Sequence, residues 1–374
     1  MTSGNIFNSR SFPPRILVAP LDWGLGHATR CIPIINYLLE QRVEVLLAAS
    51  GDSYILLKKE FPEVPIFLMK GIEIRYARHK KNLPFKLLLQ LPGLLRAVHR
   101  ERLFLKKMVH AHHIDAVISD NRAGMHYKKI PCVYITHQLS IKTANRFTET
   151  ILRQVHNYYI KKFNACWVPD DESPGLAGAL SHPAKLLPHA KYMGPLSRFR
   201  RTGDVSVTTG ILVILSGPEP QRTLLEQIIL AQLKNTAGTA LVVRGLPGDA
   251  ILPIADRPGI TIRNYLDTGE LQEAILGAGV IICRSGYSSI MDLVTLGRSA
   301  ILVPTPGQTE QEYLGHSLMQ RQYFYCMPQD EFDLERALEI GKTWHPVLPV
   351  PDPGRFKNVV DELVRSLNSG NFAP

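Results

Sequence analysis

Residues 281–315 read IICRSGYSSIMDLVTLGRSAILVPTPGQTEQEYLG, and this stretch decides the fold. The apolar run Val280 to Cys283 meets Arg284-Ser285-Gly286 and then switches to helical spacing at Ile290, Leu293 and Val294, which predicts strand, tight turn, helix. A second apolar run, Ser299 to Pro304, ends in a Pro/Gly turn before a helix at Glu310. Two consecutive βα turns therefore open on one edge of a parallel sheet, where such sheets bind ligands. Ser285, Gly286, Tyr287 and Ser288 would offer backbone N–H groups at a helix N-terminus, which suits a phosphate. Asp292, about one turn further in, has the chemistry to accept two ribose hydroxyls. Thr309, Glu310 and Gln311 fall at the mouth of the next helix, where they could read the hydroxyls of a sugar.

The chain outward from this stretch repeats the same grammar. Arg15 to Pro20 is a buried β run followed by Asp22-Trp23-Gly24-Leu25-Gly26-His27, after which Ile32, Ile35, Leu38 and Leu39 take helical spacing. Val43 to Ala49, Ile114 to Asp120, Pro131 to His137 and Ala165 to Pro169 read as further strands. Periodicity lapses over Lys191 to Gly210, and strands then resume at Ile211 to Leu215, Ala240 to Arg244 and Ile260 to Tyr265. The expected architecture is α/β, with two Rossmann-like, doubly wound parallel-sheet domains facing a cleft. The expected division is a disordered tail over 1–12, a first Rossmann-like domain over 13–194 and a linker over 195–209. A second Rossmann-like domain over 210–345 and a crossing segment with a C-terminal helix over 346–374 complete it.

Composition narrows the function. With 374 residues, 45% hydrophobic and mean hydropathy near zero, the chain suits a soluble two-domain protein. No apolar run approaches the ~20 residues of a membrane span, and the N-terminus lacks an apolar signal core, so a cytoplasmic location is expected. Cys31, Cys132, Cys166, Cys283 and Cys326 are scattered without a CxxC pair, which predicts free thiols and neither disulfides nor zinc. Residues 1–196 hold 27 Lys and Arg against 14 Asp and Glu, whereas 197–374 hold 16 against 19. The first half therefore faces something anionic. Its basic residues concentrate in 75–107, interleaved with leucines. One reading is an amphipathic helix pair with core leucines; the other is a surface that meets an anionic membrane. Nucleic acid is disfavoured, because few aromatics are present to stack bases.

Arg284-Ser285-Gly286, Asp292, Gly297, the Val303-Pro304 strand end and Gln311-Glu312-Tyr313 together resemble the donor-binding signature of GT-B glycosyltransferases. The similarity is greatest to the peptidoglycan lipid-linked N-acetylglucosaminyltransferase family (family 28-like). That family has Glu where this chain has Asp292 and Gln-Gln-Tyr where it has Gln311-Glu312-Tyr313. The resemblance implies a nucleotide-sugar donor, most simply a UDP-sugar, and inverting transfer of a hexose or N-acetylhexosamine. It further implies a lipid-linked or envelope acceptor, peripheral contact with the inner face of the cytoplasmic membrane, and neither metal nor cofactor. His27 matches the position of the catalytic His, and Asp120 would orient it, although an Asp at a strand end is also a common cap. Gly24, Gly26, His137 and Gln138 would lie on the acceptor side. Ser216 and Gly217, in a turn with two prolines, would join Arg284, Ser285 to Ser288 and Asp292 around the donor. Leu266, within Tyr265-Leu266-Asp267, would read the base, and Glu310 and Gln311 the sugar. Asp170-Asp171-Glu172 looks like a metal triplet but reads better as an acidic surface turn. Two rival functions fit the same frame: a nonhydrolysing nucleotide-sugar 2-epimerase, and a catalytically silent nucleotide-sugar-binding scaffold.

Overall fold

The computed structural model describes residues 12–71, 83–142, 146–173, 175–201, 207–236, 238–248 and 258–369, with side chains other than those of 83–92 and 146–147. Two parallel sheets organise the chain. The first contains β1 (Arg15–Pro20), β2 (Glu44–Ala49), β3 (Ile66–Leu68), β4 (Ala116–Asp120), β5 (Cys132–Ile135), β6 (Ala165–Val168) and β7 (Ala190–Tyr192), in the order 3-2-1-4-5-6-7. Its helices are α1 (Leu25–Glu40), α2 (Gly51–Glu60), α3 (Leu83–His112) and α4 (Arg146–Ile160). The second contains β8 (Thr209–Ile214), β9 (Ala240–Val243), β10 (Ile260–Arg263), β11 (Ala278–Cys283), β12 (Ile301–Leu302) and β13 (Tyr325–Cys326), in the order 10-9-8-11-12-13. It carries α5 (Gln221–Leu233), α6 (Thr268–Leu276), α7 (Tyr287–Thr295), α8 (Thr309–Gln320) and α9 (Leu334–Thr343), and α10 (Arg355–Asn368) closes the chain.

Strand order reverses once in each sheet, between β1 and β4 and between β8 and β11. Crevices form at such switch points, beyond the strand C-termini. The first crevice is flanked by Asp120, paired in register with Pro20; the second is flanked by Arg284, just past the Cys283–Ile214 pair. One hydrophobic core runs through both halves, joining Ile16, Ile35 and Leu176 to Leu212, Tyr287 and Leu293. A second core, with Leu105 and Met108 of α3, fills the opposite face of the first sheet. Through Tyr37 Oη, which donates to Asp361 at 2.7 Å, α10 packs back on α1.

The strand, turn and first helix of the quoted stretch fold as their pattern predicts. Ile290, Met291, Leu293 and Val294 are the buried face of α7. Gly297 ends the helix in the left-handed region (φ +67°). Its N–H reaches Val294 O, and that of Arg298 reaches Leu293 O, a Schellman closure that favours glycine. The helix pair expected within 75–107 is corrected: Leu83–His112 is one helix, continuous through Pro92, while residues 75–82 lie outside the described ones. Its core-facing residues are Ala97, Glu101, Leu105 and Met108, whereas Leu95 and Leu103 are more than half exposed.

Candidate functional site

The loop after β1 brings His27 into the first turn of α1, and Arg30 follows three residues later on the same face. Both meet Asp120, which is fully buried at the end of β4. The guanidinium of Arg30 engages both Asp120 oxygens, through Nε and Nη2. His27 Nδ1 lies 3.0 Å from Asp120 Oδ1 and 2.8 Å from Arg30 Nη2. Burial alone would raise the Asp120 carboxyl, but Arg30 and His27 override it and hold the group at about 2. Burial, and then the Arg30 cation, lower the His27 imidazole against the opposing pull of Asp120. A neutral imidazole beside a fixed carboxylate results, and its Nε2 is available to take a proton if Nδ1 keeps its own.

The network crosses to the second half. Arg30 Nη1 is 3.1 Å from His137 Nδ1, and His137 Nε2 is 2.7 Å from Glu310 Oε1 at the start of α8. Gln138 Nε2 donates to the other Glu310 oxygen. The structure thus joins the expected sugar reader Glu310 to the expected acceptor-side pair His137 and Gln138. His137 also stacks on Tyr287, with ring centroids 4.3 Å apart at 17°. Tyr287 Oη donates to Pro169 O at 2.9 Å, so this residue is a buried pillar between the halves.

Ser288 Oγ donates to Gly26 O at 2.9 Å. A Cβ on Gly26 would fall 2.8 Å from that hydroxyl, so the close approach of the two turns favours glycine here. Gly24, the N-cap of α1, adopts φ +89°. Neither Gly24 nor Gly286, the N-cap of α7, adds a side-chain cap, and both helices point unmasked N-termini into the cleft.

Ser216, Leu266, Ser288 and Asp292 line a cavity of about 100 Å³ between the halves, together with Gly26, Arg198 and Tyr265. Gly217 turns at φ +99° beside Thr305. Ser197 Oγ donates to Asp292 Oδ1 at 2.6 Å. Burial pushes the Asp292 carboxyl up to about 6, opposed by Arg198 and the Ser197 bond, so at pH 7.5 it is an ionised acceptor. Arg198 Nε finds no hydrogen-bond partner among the described residues. Ser197 and Arg198 belong to the span read as linker. With Arg30, they are the site residues that the sequence reading left without a role.

Two expectations are corrected, those for the Arg284 and Gln311 side chains. Arg284 does not reach the cleft: it is fully buried and donates to Val303 O and Pro304 O at 3.2 Å and to Gln221 O at 2.7 Å. Its work is to splice the β8, β11 and β12 turns together. Gln311 is turned inward, its Oε1 accepting from Thr305 N at 2.9 Å. The Ser285 hydroxyl donates to Gln311 O at 2.8 Å, which leaves this residue's backbone alone for any ligand. As for metal, no group of three His, Cys, Asp or Glu among the described residues is arranged to hold an ion. Asp170 spends its carboxylate on Leu176 N, Ala177 N and Ser181 Oγ, and Arg355 bridges Asp171 and Glu172.

Residues 256–340 match the glycosyltransferase family 28 C-terminal domain. Over 326 residues, 84% of each chain, the protein is 21% identical to the UDP-N-acetylglucosamine–N-acetylmuramyl-(pentapeptide) pyrophosphoryl-undecaprenol N-acetylglucosamine transferase of Pasteurella multocida (strain Pm70). It is 28% identical to the Histophilus somni (strain 129Pt) enzyme of the same name over 159 residues, 40% of this chain and 42% of that one. Among solved structures, the glycotransferase of kitacinnamycin superposes at TM-score 0.61, with 12% identity and 95% of each chain covered. MurG of Acinetobacter baumannii superposes at 0.52, with 16% identity, covering 94% of this chain and all of that one. The two sheets and their facing edges are the GT-B fold.

Proposed function

The chain being a family 28-like glycosyltransferase of the GT-B fold, we propose that it moves a hexose or N-acetylhexosamine from a nucleotide sugar, foremost a UDP-sugar, to a hydroxyl of a membrane-associated acceptor. The observation that carries this reading is the contact of Ser288 with Gly26. It sets the donor turn against the loop that carries His27. In the proposed reaction the acceptor oxygen bonds to the anomeric carbon as the bond from that carbon to the diphosphate oxygen breaks. His27 Nε2 takes the hydroxyl proton, and Asp120 balances the imidazolium that forms. The nucleoside diphosphate leaves with the electron pair, its charge met by the N–H groups of α7 and the turn at Ser216 and Gly217. Attack from the face opposite the leaving group inverts the anomeric centre. Asp292 would hold the ribose, with Tyr265 and Leu266 against the base and Arg198 nearby as a cation. The test is incubation of labelled UDP-glucose and UDP-N-acetylglucosamine with a membrane lipid extract. Label in the lipid fraction with stoichiometric UDP is expected; an epimerised nucleotide sugar, or no turnover, overturns the reading.

The acceptor side supports a membrane partner. Exposed Leu95 and Leu103 of α3 share the helix with exposed Arg100, Arg102, Lys106 and Lys107. On α4, Ile151, Val155 and Tyr158 are 44–60% exposed, and Lys162 lies 4.3 Å over the Tyr158 ring. No described helix is long and apolar enough to cross a membrane. Peripheral binding to vesicles containing anionic lipid is expected, at roughly 1 kcal/mol per basic residue near the surface. Neutralising Lys106 and Lys107 together (K106Q/K107Q) should weaken sedimentation with such vesicles by about 30-fold. Equal binding of wild type to neutral and anionic vesicles would contradict this.

A further inference from the structure

The cavity between the halves is too small for the donor proposed for it. It holds about 100 Å³, whereas sites that enclose a drug-sized ligand run to about 300–1,000 Å³, and a nucleotide sugar is a ligand of that size. Seating a donor therefore requires the walls to part. Some of the contacts that hold them together belong to the His27 network and the turns beside it, through Glu310 and Ser288. A separate set comes from the last turns of α2.

Glu60 Oε1 accepts from Thr268 Oγ1 at 2.6 Å. Tyr265 Oη stands 3.5 Å from the same oxygen and Arg198 Nη1 3.9 Å from it. Lys59 Nζ donates to Pro247 O at 2.9 Å and lies 5.8 Å over the Tyr265 ring. Earlier on α2, Ile55 meets Gly248, where a Cβ would lie 3.8 Å from the Ile55 Cδ1. One helix end of the first half is thus pinned across Tyr265, a wall of the cavity and part of the turn proposed to hold the base.

The second-half side of this contact is stiff. Asp267 and Glu270 cap α6 reciprocally, at 2.8 and 2.9 Å, and such a box fixes the chain that enters the helix. The loop after β9 is tied to the end of β10 by Leu246 N to Asn264 O at 2.8 Å. Tyr265 and Thr268 are therefore poorly placed to move aside alone. On the α2 side the polar links are the ends of two long side chains, Lys59 and Glu60, which can let go without unfolding anything.

We propose that Glu60 latches α2 over the base subsite, and that a donor enters only after this carboxylate has released Thr268. The inference rests on Tyr265 and Leu266 holding the nucleotide base, as in the proposed function. A contact made only in the closed, empty form competes with the ligand, because apparent affinity is reduced by the fraction of molecules that are open. Removing such a contact strengthens binding. A residue that helped to place the base would act with the opposite sign.

The experiment pairs two readouts on wild type, Glu60→Ala and Thr268→Val. The first is surface plasmon resonance of UDP on the immobilised protein. The second uses no nucleotide: it is the rate at which iodoacetamide alkylates Cys283, a buried thiol that lines the cavity opposite Gly26 and Thr29 of the first half, read by mass spectrometry. Each variant should raise the UDP association rate by about 3- to 10-fold with little change in dissociation, and raise Cys283 alkylation by a similar factor. The factor is below the 10-fold or more of a fully buried charged hydrogen bond, because the Glu60 side chain is 16% exposed. Wild-type rates in both assays, or weaker UDP binding through faster dissociation, overturns the proposal. If wild type binds no UDP, the base reading fails on its own, and the alkylation rates decide the latch: unchanged rates refute it. Both substituted side chains are partly exposed, and the second variant removes the same bond from the other half should the first fail to fold.

Discussion

Replacing His27 with alanine is expected to lower transfer turnover by about 10²- to 10⁴-fold, the span of a lost general base, with donor affinity nearly unchanged. The side chain touches Asp120 and Arg30 and not the cavity beside Asp292, so the effect belongs in kcat. Asp120→Asn should approach the same loss, because an amide neither holds the Nδ1 proton with a full charge nor balances the imidazolium. The pH dependence carries a sign. Burial and Arg30 hold His27 below its usual value, so the base form persists at neutral pH and activity should fall on acidification through that lowered midpoint. Initial rates between pH 5 and 9, with the label-transfer assay, check both points. An unchanged kcat in His27→Ala would remove this residue from the chemistry.

The largest expected stability effect lies at Arg122, which is fully buried beneath the β1 loop. It donates to Glu101 Oε1 at 2.8 Å, Ser50 Oγ at 2.9 Å and Pro20 O at 2.7 Å, and lies 3.5 Å from Asp22 Oδ1. Arg122→Ala strands Glu101 and Asp22 without their cation, and breaking a buried pair from one side costs about 3–5 kcal/mol. Burial already pushes the Glu101 carboxyl up, against the pull of Arg122 and the Gly124 N–H. In the variant that rise can only grow. A carboxyl raised in the folded state binds its proton more tightly there than when unfolded, so acidification favours folding. The deficit relative to wild type should therefore be greatest near pH 8 and narrow toward pH 5. Urea midpoints at the two pH values measure it, and a deficit under about 0.5 kcal/mol, ordinary for a surface position, would contradict the account.

Much of the frame was legible because each buried strand is a continuous apolar run punctuated by Gly, Pro or a strand-end acid. The α7 turn is where the switch from run to period placed it. What escaped were β3, β7 and β13, strands of two or three residues with half-exposed side chains. A run so short has no period to detect. Ser299 to Pro304 reads as a six-residue strand, yet only Ile301 and Leu302 pair, since apolarity there serves burial beyond the ladder.

The site was legible in its residue types and, through the family resemblance, in the pairing of His27 with Asp120, and not in its other partners. An acid ending a strand and a His opening a helix are visible locally, and the fold brings Asp120 to His27. Arg30 had no local signal of its hub role, because its partners Asp120 and His137 are 90 and 107 residues away. Arg284 misled for the complementary reason: nothing in the string shows that its guanidinium turns inward to three carbonyl oxygens. Ser197 and Arg198 sit where periodicity fails, and a span without periodicity carries no sign of the side chains it aims at Asp292.

On the proposed function the cleft binds a nucleotide sugar through the second half, with Asp292 on the ribose. The decisive measurement is calorimetric titration of UDP, GDP, dTDP and their sugars into wild type and Asp292→Ala, at pH 7.5 without added metal. UDP and a UDP-sugar are expected to bind, and Asp292→Ala to weaken them by roughly 1.5 to 3 kcal/mol, about 10- to 150-fold. Absence of binding by every nucleotide, or equal binding to both proteins, overturns that function.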